Sequence, residues 1–145
     1  MTDTVEDLTK RGEALYERAA NQALGGYQII EEQLKTYICI HFDRTRVLLN
    51  GKLHFGFSSD DYKEAALGRL VQVFSKLCSN EPLIAELRTV IARRNHVAHK
   101  AFLTLYRKDV FPTEYSTLIG ELYSDMERLS ALMAKIREEI KALIG

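Results

Sequence analysis

The chain has 145 residues and carries 20 Lys or Arg against 20 Asp or Glu, so its formal net charge at neutral pH is zero. A chain of this length can bury a core as one domain over residues 1–145, and zero net charge excludes a global attraction to nucleic acid or membrane. No apolar run could cross a bilayer, and the charged N-terminal stretch does not resemble a secretory signal, so we expect a cytoplasmic protein without a membrane contact.

The cysteine and histidine spacings predict neither a metal site nor a cofactor site. Cys39 and Cys78 have no disulfide-framework or CxxC spacing, and their apolar surroundings predict reduced core residues. The chain also lacks a Gly-rich phosphate loop and an HExxH helix. His96 and His99 lie three residues apart, but their basic surroundings disfavour a bound cation. We therefore expect no metal and no cofactor.

The N-terminal third of the chain predicts one long amphipathic helix over residues 4–49. Gly25 and Gly26 fall in its middle, where they indicate either a kink or a close contact with a neighbouring helix. An Asn-Gly pair then ends the helical pattern. Residues 52–59 predict a loop with apolar side chains, because no second strand is present to pair with them.

Two further helices are indicated by their start signals. The first is predicted over about 61–77, with Ser58 or Ser59 as its cap and acidic residues in its first turn. The second is predicted to begin after Asn80, a good capping residue that precedes a proline in the first turn. This helix is expected to end near His99 or slightly after it.

Residues 101–110 are compatible with either helix or loop, and Thr113 is a good cap for a last, long helix. Apolar residues three and four apart run along that helix: Ile119, Leu122, Met126, Leu129, Met133, Ile136, Ile140 and Leu143. The pattern favours a helix packed along its whole length in a bundle, with a dimer contact through part of it as the alternative. The predicted fold class is therefore all-α, a four- to five-helix up-and-down bundle with a long C-terminal helix.

Positive charge is concentrated in residues 87–108, which contain no Asp or Glu. The six cationic residues of this stretch are Arg88, Arg93, Arg94, Lys100, Arg107 and Lys108. The apolar stripe of this helix, through Leu87 and Val90, next reaches Arg94, where a hydrophobe is expected. An unpaired buried guanidinium costs several kcal/mol, so Arg94 needs a partner, access to water or a ligand anion. The alternative is that the helix ends there and Arg94 lies at its C-terminal end.

Arg94, Asn95 and His99 together can act on a phosphodiester. An Arg binds phosphate through a forked, permanently charged group, a His can move a proton near neutral pH, and Asn95 lies four residues before His99. RNA supplies its own nucleophile, the 2′-hydroxyl, so these groups suffice for internal transesterification without a metal. On an unbroken helix Arg94 and His99 project about 140° apart. They converge if the helix ends or kinks between them, or if two copies of the motif meet in a dimer.

The Arg-Asn-x-x-x-His sequence in a late helix of a small all-α chain resembles the HEPN superfamily, and the resemblance covers most of the chain. It implies a helical bundle that dimerises through the face carrying the motif. Many HEPN proteins are metal-independent endoribonucleases, often toxins or anti-phage effectors, and others have lost activity and act as binding or scaffold domains. In the active members the catalytic Arg and His correspond to Arg94 and His99. A toxin role would also imply an antitoxin protein as a partner.

The leading hypothesis is a HEPN-type endoribonuclease that acts as a homodimer on RNA. Arg94 would bind the scissile phosphate, His99 would be the general acid and base, and Asn95 would orient the imidazole. Five further residues would contact RNA phosphates: Arg93, His96, Lys100, Arg107 and Lys108. The alternatives are an inactive module that binds RNA, a nucleotide or an acidic protein, and a helical dimeric scaffold.

Overall fold

A computed structural model describes residues 4–106 and 112–145 of the protein, and the regular secondary structure in these ranges is entirely helical. The elements are α1 (Val5–Leu49), a 3-10 turn (Ser59–Tyr62), α2 (Leu67–Leu77), α3 (Glu81–Tyr106) and α4 (Pro112–Ile144). The all-α class is therefore confirmed, with four α-helices and no strand in the described part of the chain. The up-and-down order and the HEPN likeness stay predictions. None of the described helices combines the length and the apolar character needed to cross a membrane.

Helix α1 has the span that the sequence predicts, and it runs without a break through its two central glycines. Thr4 caps its N-terminus, because the Thr4 hydroxyl accepts a hydrogen bond from the Asp7 amide at 3.1 Å and the Asp7 carboxylate accepts one from the Thr4 amide at 3.3 Å. The close contact considered for the central glycines is not present at Gly25, where an added Cβ would meet none of the described residues within 4 Å. It occurs at Gly12, whose Cβ position lies 2.7 Å from Cδ2 of Tyr115.

The start of the second helix was predicted too early. Ser58 does act as a cap, and its hydroxyl accepts from the Asp60 amide at 3.3 Å, but it caps the 3-10 turn. Tyr62 is buried at the end of that turn, and α2 begins only at Leu67. The acidic first turn that the sequence indicates therefore belongs to a single 3-10 turn, and Ala66 precedes α2 without a side-chain cap.

The start of α3 was predicted correctly and its end was not. The Leu83 amide donates to Oδ1 of Asn80 at 3.2 Å, so Asn80 caps α3 as expected. The helix then continues past His99 to Tyr106. Its buried positions explain the extension, because Val97, Ala101 and Thr104 are buried at spacings of four and three residues and continue the stripe toward the C-terminus of α3.

The described residues form two compact units, to each of which α1, α3 and α4 contribute. Unit 1 comprises Met1–Tyr27 with Ala92–Ser130, and unit 2 comprises Gln28–Ile91 with Ala131–Gly145. The expectation of one domain over residues 1–145 stays a prediction. Unit 1 buries Tyr16, Ala19, Ala20, Ala23, Tyr27, Val97, Ala101, Tyr115, Leu122 and Leu129. Unit 2 buries, among others, Ile30, Leu34, Ile38, Leu70, Phe74, Leu83, Leu87 and Ile136.

Only part of the predicted apolar face of α4 is buried. Leu122, Leu129 and Ile136 are buried as expected, whereas Met126 and Met133 are only half-buried. The buried register runs through positions 115, 122, 125, 129, 132 and 136. Position 125 in this register is an aspartate, so a carboxylate occupies a core position of α4.

Candidate functional site

The motif lies on the unit 1 part of α3, with its side chains at different depths. Arg94 and Lys100 are half-buried, and Asn95, His96 and His99 are exposed. Arg107 and Lys108, predicted as phosphate contacts, lie outside the described residues. Because α3 continues to Tyr106, the possibility that Arg94 lies at the C-terminal end of the helix is excluded.

Arg93 is neutralised by a buried carboxylate of α4. Its Nε donates to Oδ1 and Oδ2 of Asp125 at 2.9 and 3.0 Å, and its Nη2 donates to Oδ2 at 2.8 Å. The Asp125 side chain is 5% exposed and the Arg93 side chain 28%. These hydrogen bonds raise the pKa of Arg93, while its partial burial acts in the opposite direction. Two of the three guanidinium nitrogens are therefore committed to a structural ion pair, and we do not retain Arg93 as a phosphate contact.

The environment of Arg94 differs from that of Arg93, although the two residues are adjacent in the chain. Arg94 occupies the position of the buried stripe between Val90 and Val97, at spacings of four and three residues. Its Nη1 donates to Oδ1 of Asn95 at 3.4 Å, a long hydrogen bond to a neutral amide. Among the described residues no carboxylate lies within 4 Å of its guanidinium. A half-buried cation without a counter-charge is a favourable place for an anion to bind.

The Asn95 amide does not orient the histidine in this structure. Its oxygen accepts from Arg94, and no hydrogen bond joins it to the ring of His99 in the described part of the chain. The four-residue spacing does place both side chains on the same exposed face of α3.

An aromatic pair, which the sequence reasoning missed, extends the face that carries Asn95 and His99. Phe102 and Tyr106 follow at spacings of three and four residues and are 62% and 77% exposed. Their ring centroids are 5.1 Å apart, and Leu103 beside them is 43% exposed. Exposed aromatic side chains grouped on one face are typical of a protein or nucleic-acid interface. The sequence feature that could have indicated these exposed aromatic residues is the apolar run after the motif. That run is compatible with either helix or loop.

The helix geometry separates Arg94 from His99 within one chain. Five residues on an unbroken helix correspond to about 140° of rotation and about 7.5 Å of rise. Convergence through an end of α3 between the two residues is excluded, because the helix continues for seven residues beyond His99. Two of the expected routes to convergence remain, a kink of α3 between the two residues and the meeting of two copies of α3.

Metal ligation finds no support in the described residues, where no group of three or more His, Cys, Asp or Glu side chains could hold an ion. Comparison of the chain with protein-family models, with curated proteins and with solved structures gives no match. The residues of α3 and their neighbours therefore carry the indication of function.

Proposed function

We propose that the protein is a metal-independent endoribonuclease of the HEPN type whose active form is a homodimer. The observation that carries the proposal is the contrast between two adjacent arginines. Arg93 is neutralised by Asp125, whereas Arg94 is half-buried and, among the residues that the structure describes, has only the amide of Asn95 as a partner. A phosphate bound at Arg94 would supply the missing negative charge, with the forked geometry that a guanidinium favours.

The proposed reaction is internal transesterification of RNA. A 2′-hydroxyl attacks the adjacent phosphorus, its proton passes to a neutral His99 imidazole, and the bond from phosphorus to the 5′-oxygen breaks. The 5′-oxygen leaves with that proton, which the His99 imidazole returns to it, and the products are a 2′,3′-cyclic phosphate and a 5′-hydroxyl. Arg94 stabilises the charge that develops on the phosphate oxygens.

The shape of α3 supports the proposal of a homodimer. Because Arg94 and His99 diverge on one helix, a second copy is needed to complete each site. The exposed face carrying His99, Phe102 and Tyr106 supplies an apolar surface for that contact. His96 and Lys100 would contact neighbouring RNA phosphates, and the same role is proposed for Arg107 and Lys108.

A cleavage assay with a matched histidine control tests the proposal. Purified protein is incubated with a labelled single-stranded RNA in the presence of a chelator, as wild type, His99→Gln and His54→Gln. His54 is an exposed loop histidine in unit 2 and serves as the control. We expect cleavage with a 2′,3′-cyclic phosphate end by wild type and His54→Gln, and a loss of about 10²-fold or more for His99→Gln. Intact RNA in all three reactions, or equal cleavage by His99→Gln, would overturn the proposal.

Binding without cleavage is the second candidate, favoured by the divergence of Arg94 and His99 if the chain stays monomeric. Such a module would bind RNA with an affinity that falls steeply as salt rises, and the bound RNA would stay intact. Titration of RNA at two salt concentrations, with electrophoresis of the bound RNA, separates this candidate from the nuclease. An antitoxin partner stays an expectation of the HEPN resemblance.

A further inference from the structure

Unit 2 contains a cavity of about 340 Å³ that none of the α3 motif residues lines. Residues of α1 and α2 form two of its walls, and the loop and 3-10 turn between them form a third. Four aromatic rings line it: Phe42, Phe55, Phe57 and Tyr62. Their centroids lie 5.5 to 6.0 Å apart where the rings pair, so the apolar side of the cavity is aromatic.

Arg46 of α1 holds in place the loop that carries Phe55 and Phe57. The Arg46 guanidinium lies 5.5 Å from the centroid of the Phe55 ring, and its Nη2 donates to the carbonyl oxygen of Phe57. The Phe57 side chain nevertheless remains 57% exposed. An exposed ring held in a fixed position at a cavity is available to stack on a ligand, whereas a ring of the core is already covered on both faces.

The α1 and α2 walls of the cavity also carry basic side chains. His41, Arg69 and Lys76 line the cavity, and no Asp or Glu is among the lining residues. Arg69 and Lys76 lie on one face of α2, seven residues apart, and in the described part of the chain neither forms an ion pair. The Arg69 guanidinium lies 5.6 Å from the centroid of Tyr62 and donates to Oε1 of Gln72 at 3.4 Å. Two cations without counter-charges therefore border an aromatic surface.

We propose that this cavity binds a small anion that carries a flat aromatic body. The ring of the ligand would stack on Phe57, and its anionic group would lie between Arg69 and Lys76. The volume is within the range of small-molecule sites. The same chemistry is presented by a nucleoside monophosphate and by an aromatic carboxylate. The site does not depend on the ribonuclease proposal, because its residues come from α1, α2 and the segment between them.

Calorimetric titration of the full chain distinguishes the two sources and tests both halves of the ligand. The first arm uses adenosine monophosphate, with adenosine and ribose 5-phosphate as analogues that lack the charge or the aromatic ring. The second arm uses 1-naphthoate, with neutral 1-naphthamide as its analogue. We expect one of the two aromatic anions to bind at least about tenfold more tightly than its analogues, because each analogue loses one of the two contacts. If neither anion binds at millimolar concentration, or if the neutral analogues bind equally well, the proposal is wrong.

Substitutions of exposed residues that line the cavity test whether the ligand binds there. Lys76→Gln removes one cation and Phe57→Leu removes one ring, and each should weaken the anion about tenfold. Lys52→Gln is the control, since Lys52 is an exposed lysine of the same unit that does not line the cavity. Equal affinity for the wild type and both cavity variants would place the ligand elsewhere and overturn the proposal. Far-UV circular dichroism of each variant checks that the helices are intact.

Discussion

Arg93 donates from two guanidinium nitrogens to both carboxylate oxygens of Asp125, across 32 positions of the chain. This pair satisfies a carboxylate that is buried in the core register of α4. It also removes Arg93 from the basic surface, so that the positive charge open to a ligand near the motif comes from Arg94 and from the flanking Lys100. Arg93 therefore contributes to the fold, whereas the adjacent Arg94 is the proposed phosphate contact, and substitutions can separate the two roles.

Breaking the Arg93–Asp125 pair should destabilise the fold. We expect Asp125→Ala to lower the free energy of unfolding by about 2–4 kcal/mol, because Arg93 is left partly buried without its counter-charge and is only partly hydrated. The double variant Arg93→Met with Asp125→Leu should recover much of this loss, since an apolar pair leaves no charge to compensate. Urea unfolding at neutral pH measures both. The control is Arg94→Gln, for which we expect a change within about 1 kcal/mol. Equal stability of Asp125→Ala and wild type would contradict the structural role of the pair.

Two glycines of α1 should respond to alanine in opposite directions. Gly12→Ala places a methyl group 2.7 Å from the buried ring of Tyr115, and we expect it to cost about 1–3 kcal/mol. Gly25→Ala meets none of the described residues within 4 Å and should stabilise the helix by about 0.5–1 kcal/mol. Thermal unfolding of both variants beside wild type measures the difference. Destabilisation by Gly25→Ala, or none by Gly12→Ala, would contradict the packing described here.

The starts of α1 and α3 were readable from the sequence because their signals are local, whereas the start of α2 was predicted too early. Asn80 caps α3 through an amide three residues away, and the span of α1 follows from its periodicity. The end of α3 was not readable, because Phe102 and Leu103 are apolar and yet exposed. The buried face past the motif is marked only by Ala101 and by a threonine, both weak hydrophobic signals.

The basic character of the motif region could also be predicted, but the roles of its arginines could not. Which arginine is neutralised depends on Asp125, a contact that no local pattern indicates. In hindsight the signal was a carboxylate three residues after Leu122 and four before Leu129, at a position of the buried register. The aromatic pair that extends the face of His99 lies within residues 101–110. The sequence of this segment is compatible with either helix or loop, and for the same reason it did not show where α3 ends.

The exposed aromatic face should be the dimer contact. We expect Phe102→Glu to weaken self-association at least tenfold, because it places a charge in an apolar interface. Analytical ultracentrifugation over a range of protein concentrations measures the dissociation constant. Leu53→Glu is a matched control, since Leu53 is 67% exposed in a loop of unit 2. A monomeric wild-type protein, or unchanged association of Phe102→Glu, would contradict this assignment.

Alkaline pH should destabilise the protein in part through Tyr27. Burial raises the pKa of Tyr27 from 10.0 to about 12, and the negative charge of Asp125 adds to the rise. The folded state therefore holds this proton longer than the unfolded state, and the stabilisation is complete below about pH 10 and is lost as pH rises toward 12. In that window Tyr27 contributes a slope of up to about 1.4 kcal/mol per pH unit.

Urea unfolding at pH 9, 10 and 11 measures this slope. Tyr27→Phe should be less steeply dependent on pH than wild type, because phenylalanine has no proton to lose. Tyr123→Phe is the control, since the Tyr123 side chain is 55% exposed and should leave the slope as it is in wild type. Identical slopes for Tyr27→Phe and wild type would show that Tyr27 does not contribute.

Mixing two inactive variants tests the shared active site most directly. Arg94→Gln and His99→Gln are each expected to lack RNA cleavage in the presence of chelator. When they are unfolded together and refolded as an equal mixture, half of the dimers should contain one of each. If each site takes Arg94 from one copy and His99 from the other, one of the two sites in a mixed dimer is intact, so about a quarter of wild-type cleavage should return. No recovery, with mixed dimers demonstrated by mass spectrometry, would contradict a site built from two copies of α3.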